Sequence, residues 1–517
     1  MWGDKFDQGK VNRESVVDSD LKMRILCKAL LKKVVKPEFA AREIRSGMTV
    51  GTAGGFQFGY PKTIFSCLVE SKKSSQNFQI DLWAGGPVGE EIDGFLCANG
   101  MMRKRLGQQS NASLRRMINE RNVLFSDLRS GMFPQQVRSG SWGHIDLAVI
   151  EAVGITEEGN IIPSTSLFDG ATFVQMAKKV IVEINTFYPL DLEGIHDVYL
   201  LKNPPNRGPI PMQHPGDRIG TPYIPVEREK IAYIVEATVR DNIIPRASLD
   251  ETSQRIGKNL ISFFQREVDS KKLPKNLLPL QIGLGNVSDS VARELARSSF
   301  EGLAIYTGGV GDGVLDLIDS GKVQVVSTSG LYFSTDGQKR FFENLDRYKK
   351  VIILRPLDIA DSPEVILRLG VIAINTAIEI DIYGHINSSH VQGSQIISGV
   401  GGSGEFAQNA FLSVFLTPST SRKGSVSAIV PMVSHVDHSE HVVDIIVTEQ
   451  GVADLRGLEP VERAESVINN CAHSDYRSLL REYLSKAIKE TGGHEPHLLN
   501  EAFSFHRRFK ETGTMLR

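Results

Sequence analysis

The chain is organised around residues 397–406, which read ISGVGGSGEF and place four glycines within six residues. An apolar run at residues 370–374 and a strand-like segment at residues 378–383 precede this stretch, and a helix is predicted over residues 407–415. Glycines let a backbone approach a ligand closely, and unpaired N–H groups at a helix start point toward that ligand. The stretch therefore indicates either an anion cradle or a tight turn without a ligand.

Length and composition favour a globular protein of two or more domains. The chain has 517 residues, of which 41% are hydrophobic and 23% are charged. The net charge of −2 does not indicate a nucleic-acid or anionic-membrane partner. No apolar run reaches the length of a transmembrane helix, and the acidic N-terminus has no apolar signal segment. We therefore expect a cytoplasmic protein with no membrane and no nucleic-acid partner.

The four cysteines do not indicate a disulfide or metal framework. Cys27, Cys67, Cys97 and Cys471 have no CxxC spacing. Their number and spacing predict reduced, mostly buried thiols in an intracellular protein.

A run of histidines suggests a metal site as a less favoured alternative. His435, His438 and His441 follow one another at three-residue steps. On a helix such steps drift around the axis, and Pro431 suggests that the segment is a loop. We therefore expect no bound metal.

Strands and helices alternate in both halves of the chain, which predicts parallel sheets covered by helices. Prolines interrupt this alternation at residues 202–225, so we predict an N-terminal domain over 1–225 and a C-terminal domain over 226–517. The proline-rich segment is then a linker or, alternatively, an extended arm packed on a neighbouring domain. The second half begins with a predicted strand at residues 231–239. The predicted fold is α/β, with a site in the cleft between two similar domains.

Three long motifs carry a family resemblance. They are residues 399–406 (GVGGSGEF), 431–438 (PMVSHVDH) and 447–457 (VTEQGVADLRG). With these motifs the sequence resembles the acetyl-CoA hydrolase/transferase family of class I CoA-transferases, and within it the succinyl-CoA:acetate CoA-transferases, over nearly the whole chain. The resemblance implies two parallel-sheet domains of the CoA-transferase type, and coenzyme A held mainly by the second.

The resemblance also implies a chemistry and its partners. Members use a glutamate that attacks an acyl-CoA thioester and forms first an acyl-glutamyl anhydride, then a glutamyl-CoA thioester. A small carboxylic acid or water completes the reaction. Coenzyme A is thus a substrate, and no permanently bound cofactor is expected. We also expect a homo-oligomer, most simply a homodimer.

The residues implied in coenzyme A binding lie in the second half. They are Gly283, Leu284, Gly285, Asn286, Val287, Ser398, Gly402, Arg422 and Lys423. A cationic pair suits the several negative charges of coenzyme A, although an ordinary solvated loop is the alternative for Arg422 and Lys423.

Three positions depart from the family pattern. Gly308 stands where the family glutamate follows a Tyr-Thr pair, Asp361 replaces an asparagine after Arg-Pro, and Ser398 replaces an asparagine before the glycine stretch. Glycine cannot form an anhydride, and an ionised aspartate cannot donate a hydrogen bond to an oxyanion. Asp312 and Glu449 are possible substitute nucleophiles. The sequence therefore leaves two functions open: a CoA-transferase or acyl-CoA hydrolase with Gly308, Asp361 and Gly402 at its catalytic centre, or a repurposed CoA-binding protein.

Overall fold

Two similar sheets form the framework of the protein. The computed structural model describes residues 17–72, 77–242, 245 and 250–517. Each sheet has eight strands, and in each a single strand pairs antiparallel while the others pair in parallel. The predicted fold class, α/β with two similar parallel-sheet domains, is confirmed.

The first sheet runs in the order Leu124–Ser126, Met102–Leu106, Ile80–Trp83, Thr49–Thr52, Leu147–Ile155, Lys179–Asn185 and Ile231–Ala237. Its antiparallel strand, Ile161–Pro163, pairs with Leu147–Ile155. The second sheet runs in the order Ile352–Leu354, Val323–Thr328, Leu303–Tyr306, Leu280–Ile282, Ile372–Thr376, Leu412–Leu416, Ile445–Thr448 and the antiparallel Gly451–Asp454. Four small sheets are made of Gly309–Gly311 and Gly330–Tyr332; Ile386–Asn387, Glu379–Asp381 and Ile429–Val430; His390–Val391 and Gln395–Ile396; and Thr420–Ser421 and Val426–Ser427.

Helices flank both sheets. In the first half they are Ser19–Arg24, Pro37–Ala41, Thr63–Lys72, Phe95–Ala98, Ala112–Asn119, Phe133–Arg138 and Gly170–Met176. In the second half they are Glu251–Asp269, Asn286–Arg297, Asp312–Asp319, Thr335–Glu343, Leu345–Tyr348, Leu357–Ala360, Pro363–Leu369, Ser403–Asn409, Pro460–Asn470, Ser474–Glu490 and Ser504–Thr512. Short 3-10 turns span Lys28–Lys33, Ser130–Met132, Leu190–Leu192, Arg422–Gly424 and Glu440–Val442, and a π turn spans Glu90–Gly94.

The first sheet extends past residue 225. Strand Ile231–Ala237, which the sequence places in the second domain, pairs in parallel with Lys179–Asn185 of the first sheet. The proline-rich segment before it is an arm packed on the second domain, which is the alternative that the sequence left open. The Ile210 N–H donates to Glu364 Oε1 at 2.8 Å, Arg355 donates to the Pro215 carbonyl at 3.1 Å, and Met212 is fully buried.

The helix after the glycine stretch is shorter than predicted. It spans Ser403–Asn409, and the following apolar segment forms the fully buried strand Leu412–Leu416. The prediction over residues 407–415 was wrong because a buried helix and a buried strand have similar apolar composition. The two domains share a continuous hydrophobic cluster, which includes Ile150 of the first sheet and Leu280 of the second. Among the described residues, no helix has both the length and the apolar character needed to cross a membrane.

A buried charge network organises the first domain. Lys62 Nζ lies 2.8 Å from Glu151 and 2.8 Å from Asp241, and all three side chains are almost fully buried. Glu183 accepts hydrogen bonds from the backbone N–H groups of Lys62 and Ile64, at 2.8 and 2.9 Å, at the start of helix Thr63–Lys72. Glu151 and Glu183 therefore hold the start of this helix against the sheet.

Lys62→Met should lower the stability of the chain strongly. The substitution leaves Glu151 and Asp241 buried without their cation, and breaking a buried ion pair in this way costs about 3–5 kcal/mol. Denaturant unfolding followed by circular dichroism measures the effect. Lys178→Met is the matched control, since the Lys178 side chain is 62% exposed and its ion pair with Asp146 is of a kind that contributes at most about 1 kcal/mol. Equal unfolding midpoints for the two variants would contradict this role for Lys62.

Candidate active site

A pocket of about 560 Å³ lies between the two domains. From the first domain it is lined by Phe56, Gln57, Pro87, Gln108, Ser110, Ser130 and Phe168. From the second domain it is lined by Gln281, Ile282, Gly283, Leu284, Gly285, Thr307, Gly308, Gly309, Tyr332, Leu357, Asp361, Asn375, Thr376, Ser388, Ser398, Gly399, Val400, Gly402, Ser403 and Phe406. Asp361 bears the one carboxyl group among these described lining residues, which include no histidine, lysine, arginine or cysteine.

The second sheet places its contribution at the carboxyl ends of neighbouring strands. Gly283 follows strand Leu280–Ile282, and Gly308 lies two residues beyond strand Leu303–Tyr306. Asp361 ends the short helix Leu357–Ala360, which follows the strand at the sheet edge. Parallel strands that end at one edge bring such loops together, and ligands in α/β folds bind there. Segments that are far apart in sequence therefore converge on one pocket.

Gly308, Asp361 and Gly402 are close neighbours. A Cβ atom on Gly308 would lie 2.9 Å from Asp361 Oδ1, and a Cβ atom on Gly402 would lie 2.5 Å from Asp361 Oδ2. Both separations are shorter than real Cβ contacts. The Asp361 carboxyl group therefore occupies the space between the two glycines, and it does so because neither glycine has a side chain.

The setting of Asp361 favours its neutral form. Its side chain is buried, and Asp361 Oδ1 has no hydrogen-bond partner among the residues that the structure describes. Burial raises the pKa of Asp361 well above the usual carboxyl range, and the nearby acids Glu405 and Asp169 raise it further. The sequence-based view of Asp361 as an ionised group that only accepts hydrogen bonds is corrected here, since a neutral carboxylic acid has one O–H donor.

Two further buried acids surround Asp361. Burial raises the pKa of Glu405 to about 8, although Arg129 Nε lies 3.6 Å from Glu405 Oε1. Burial also raises the pKa of Asp169 to about 7. Buried acids that repel one another hold protons near neutral pH, so this cluster retains protons under conditions where exposed carboxyls are ionised.

The first domain contributes aromatic side chains that the sequence did not predict for the site. Phe56 packs edge-on against Phe168 at a ring-centroid distance of 5.2 Å and against Tyr332 at 6.2 Å. Phe56, Gln57 and Phe168 all have positive φ angles, of 55°, 67° and 39°. Non-glycine residues rarely adopt such angles, and they cluster at functional sites. The Gly54-Gly55 pair before Phe56 was visible in the sequence, but its meeting with the second domain was not.

The glycine stretch is fixed from the other domain. Asp127 Oδ2 accepts a hydrogen bond from the Val400 N–H at 2.9 Å, and the Ser130 N–H donates to the Gly401 carbonyl at 3.3 Å. The Asn119 side chain exchanges two hydrogen bonds with the backbone of Ile396, at 2.9 and 3.0 Å. Gly402 and Ser398 thus reach the pocket on a loop held by both domains.

Four of the residues that were predicted to bind coenzyme A lie outside the pocket lining. Asn286 and Val287 belong to the first turn of helix Asn286–Arg297 and are outside the pocket lining, as are Arg422 and Lys423. The Arg422 guanidinium lies 5.1 Å from the Phe509 ring centroid, on a 3-10 turn. Gly283, Leu284, Gly285, Ser398 and Gly402 do meet in one place. The role of each of these residues toward coenzyme A stays a prediction.

Neither proposed substitute nucleophile lines the pocket. Glu449 Oε2 accepts the Ser419 N–H at 2.8 Å. Although burial alone would raise it, hydrogen bonds from Ser419 and Gln450 lower the pKa of Glu449. Asp312 begins helix Asp312–Asp319 and accepts the Ser334 N–H at 3.2 Å. Both carboxyls have structural partners outside the pocket, which leaves Asp361 as its acid.

The three regularly spaced histidines do not converge. His438 Nε2 lies 3.1 Å from Ser403 Oγ, whereas His441 pairs with Glu440 and is 80% exposed. A different trio, His390, His435 and Asp437, has ligand atoms within 4.8 Å of one another. Ser388 and Ser389 already donate to Asp437, so any metal held by this trio would compete with those hydrogen bonds.

The fold and the sequence of the protein each match known proteins. The fold matches that of a 4-hydroxybutyrate CoA-transferase from Porphyromonas gingivalis, with a TM-score of 0.63 and 21% identity over 89% of this chain and 99% of that one. The fold is thus that of the CoA-transferases. Family models for the acetyl-CoA hydrolase/transferase N-terminal and C-terminal domains match residues 20–236 and 337–484. The chain belongs to the acetyl-CoA hydrolase/transferase family, as its sequence motifs predicted.

Relatives within this family are similar over almost their whole length. A succinyl-CoA:acetate CoA-transferase from Clostridium kluyveri is 46% identical over 94% of this chain and 90% of its own. An acetyl-CoA hydrolase from Neurospora crassa is 38% identical over 97% of this chain and 98% of its own. Both relatives carry names of enzymes that act on a thioester of coenzyme A.

Proposed function

We propose that this protein transfers coenzyme A from a short-chain acyl-CoA, such as succinyl-CoA or acetyl-CoA, to a small carboxylic acid, or hydrolyses the acyl-CoA to the free acid and coenzyme A. The observation that carries this proposal is the pocket in which Gly308, Asp361 and Gly402 meet. Its volume suits the thioester end of an acyl-CoA together with a small acceptor. The names of the relatives favour an enzyme over the alternative of a repurposed binding protein.

The backbone of the pocket suits a thioester. Gly283 and Gly285 lie at a strand end, and Gly402 lies at the start of helix Ser403–Asn409. Peptide N–H groups at such positions stabilise the negative charge that a carbonyl oxygen acquires during acyl transfer. The absence of side chains at these glycines also lets the thioester approach the backbone.

Substrate consumption tests the proposal directly. Purified protein is incubated with succinyl-CoA or acetyl-CoA, with and without acetate or succinate, and acyl-CoA species are separated by chromatography. We expect acetyl-CoA to form from succinyl-CoA and acetate if transfer dominates, and free coenzyme A to form without an acceptor if hydrolysis dominates. Unchanged acyl-CoA under all conditions would contradict the function and favour a binding protein.

We also propose that the protein works in the cytoplasm as a homo-oligomer, most simply a homodimer. The four free cysteines suit a reducing compartment. Exposed apolar side chains such as Leu499, which is 86% exposed, and Phe411, which is 59% exposed, provide surface for contacts between copies. Light scattering of the purified protein measures the oligomeric state.

A further inference from the structure

We propose that Asp361, as a neutral acid, donates a hydrogen bond to the thioester carbonyl oxygen while the acceptor carboxylate or water attacks the thioester directly, without an enzyme-bound coenzyme A. This inference rests on the proposed function and deepens it. It assigns the catalytic acid of the pocket and replaces the covalent route that the family resemblance implies.

Asp361 is the candidate hydrogen-bond donor because of its position in the pocket. It is the one carboxyl group among the described residues that line the pocket, and its two oxygens face the empty sides of Gly308 and Gly402. Oδ1 is buried and has no hydrogen-bond partner in the described part of the chain. An unpartnered polar atom that is buried beside a cavity is completed by whatever binds in that cavity. The carbonyl oxygen of a thioester bound in the pocket beside Gly308 and Gly402 would be such a partner.

The groups around Asp361 favour a role as hydrogen-bond donor over a role as nucleophile. A nucleophilic carboxylate has to be ionised, and Asp361 is surrounded by the acids Glu405 and Asp169. The cations of this region are already paired with other carboxyls: Arg129 lies 3.6 Å from Glu405, and Arg138 lies 2.7 Å from Asp358. The remaining titratable neighbour, Tyr306, donates its O–H to the Ile359 carbonyl. Among the described residues, an ionised Asp361 would therefore have no cation as its partner, whereas the neutral acid is an O–H donor.

Residue 308 has no side chain, and this bears on where the acceptor binds. With glycine at this position, no side chain of residue 308 separates the Asp361 carboxyl group from an acceptor in the pocket. An acceptor carboxylate there lies beside the Asp361 O–H and next to the thioester that the glycines hold. Two substrates held this close together can react directly with each other, so no covalent bond to the enzyme is needed.

The bonds balance without an enzyme nucleophile. An oxygen of the acceptor carboxylate bonds to the thioester carbonyl carbon, and the carbonyl oxygen becomes negative and accepts the Asp361 hydrogen bond. The C–S bond then breaks, which gives coenzyme A thiolate and a mixed anhydride of donor and acceptor acids. The thiolate bonds to the carbonyl carbon of the acceptor, and the donor acid leaves as a carboxylate. Asp361 keeps its proton throughout. With water as acceptor, the products are the free acid and coenzyme A.

Variants of Asp361 separate the donor from the nucleophile. Asp361→Asn keeps an N–H donor, so we expect it to retain activity within about tenfold of the wild type at neutral pH. Asp361→Ala removes the donor, so we expect a loss of about 100-fold or more, as for other oxyanion donors. The wild-type rate should fall as pH rises through the elevated pKa of Asp361, and Asp361→Asn should lack this fall. Asp475→Asn is the control outside the pocket, since the Asp475 side chain is 57% exposed, and it should behave as the wild type.

The kinetic pattern and the mass of the enzyme complete the test. Double-reciprocal plots against acyl-CoA and acceptor should intersect, and intact mass spectrometry should show no adduct of coenzyme A mass. An inactive but folded Asp361→Asn variant, parallel plots, or an adduct on the Asp361 peptide would overturn the inference and make Asp361 the nucleophile. Unchanged activity in Asp361→Ala would overturn any role for Asp361 and leave the proposed function standing. A wild type that consumes no acyl-CoA would contradict both.

Discussion

Gly402→Val should abolish acyl-CoA turnover while the chain stays folded. A Cβ atom at residue 402 would lie 2.5 Å from Asp361 Oδ2, so valine displaces the carboxyl group and fills the approach to the Gly402 backbone. Loss of one oxyanion donor alone typically lowers turnover by about 100- to 1000-fold. We expect at least that loss, together with weaker binding of coenzyme A. Steady-state rates and calorimetric titration with coenzyme A measure the two effects.

The control for this substitution is Gly208→Val. Gly208 lies in the proline-rich arm, and a Cβ atom there would meet no atom within 4 Å. This variant should keep wild-type rates and wild-type affinity for coenzyme A. Wild-type affinity and turnover in folded Gly402→Val would show that the reacting thioester binds away from this loop.

Gly308→Glu combined with Asp361→Asn should create a covalent enzyme–CoA adduct that the wild type does not form. The family resemblance places a glutamate and an asparagine at these two positions. A glutamate added alone would have its Cβ 2.9 Å from Asp361 Oδ1, and it would bring a second carboxyl group beside a buried acid. The asparagine removes this repulsion and donates a hydrogen bond instead. Intact mass spectrometry after incubation with acyl-CoA detects the adduct.

Three comparisons make this experiment interpretable. Gly308→Glu alone should form less adduct than the double variant, because its glutamate is held protonated by its neighbour. Gly308→Gln with Asp361→Asn has nearly the same shape without a carboxylate, and it should form none. An adduct on the wild type, or on the glutamine variant, would show that another residue serves as nucleophile, and peptide mapping would identify it.

The fold could be predicted from the sequence because the patterns that indicate it lie within contiguous segments of the chain. Alternating apolar segments and glycine turns predicted two parallel sheets, and three contiguous motifs pointed to the family. The same local evidence placed the domain boundary at residue 225, before strand Ile231–Ala237 joins the first sheet. Strand Ile231–Ala237 joins the first sheet by pairing with Lys179–Asn185. The apolar pattern of a short strand does not specify which strand it pairs with.

The site was predicted only in part, for a similar reason. Gly402 was predicted because it stands within the motif at residues 399–406, and Gly283, Gly308 and Asp361 were predicted because the family resemblance extends over their segments. Phe56 and Phe168 were missed, because they reach the pocket only when the first domain packs on the second. The protonation state of Asp361 was also beyond the sequence, since it depends on burial and on Glu405 and Asp169, which approach from other segments.

A single turnover with oxygen-labelled acceptor tests the central claim most directly. Enzyme in excess over succinyl-CoA is mixed with acetate that carries ¹⁸O in its carboxyl group, and the released succinate is analysed by mass spectrometry. Direct attack carries an acetate oxygen into the anhydride and leaves it on the departing succinate. We therefore predict ¹⁸O in succinate within the first turnover, alongside acetyl-CoA. Acetyl-CoA with unlabelled succinate would contradict the account, because the transferred oxygen would then have come from a carboxylate of the enzyme.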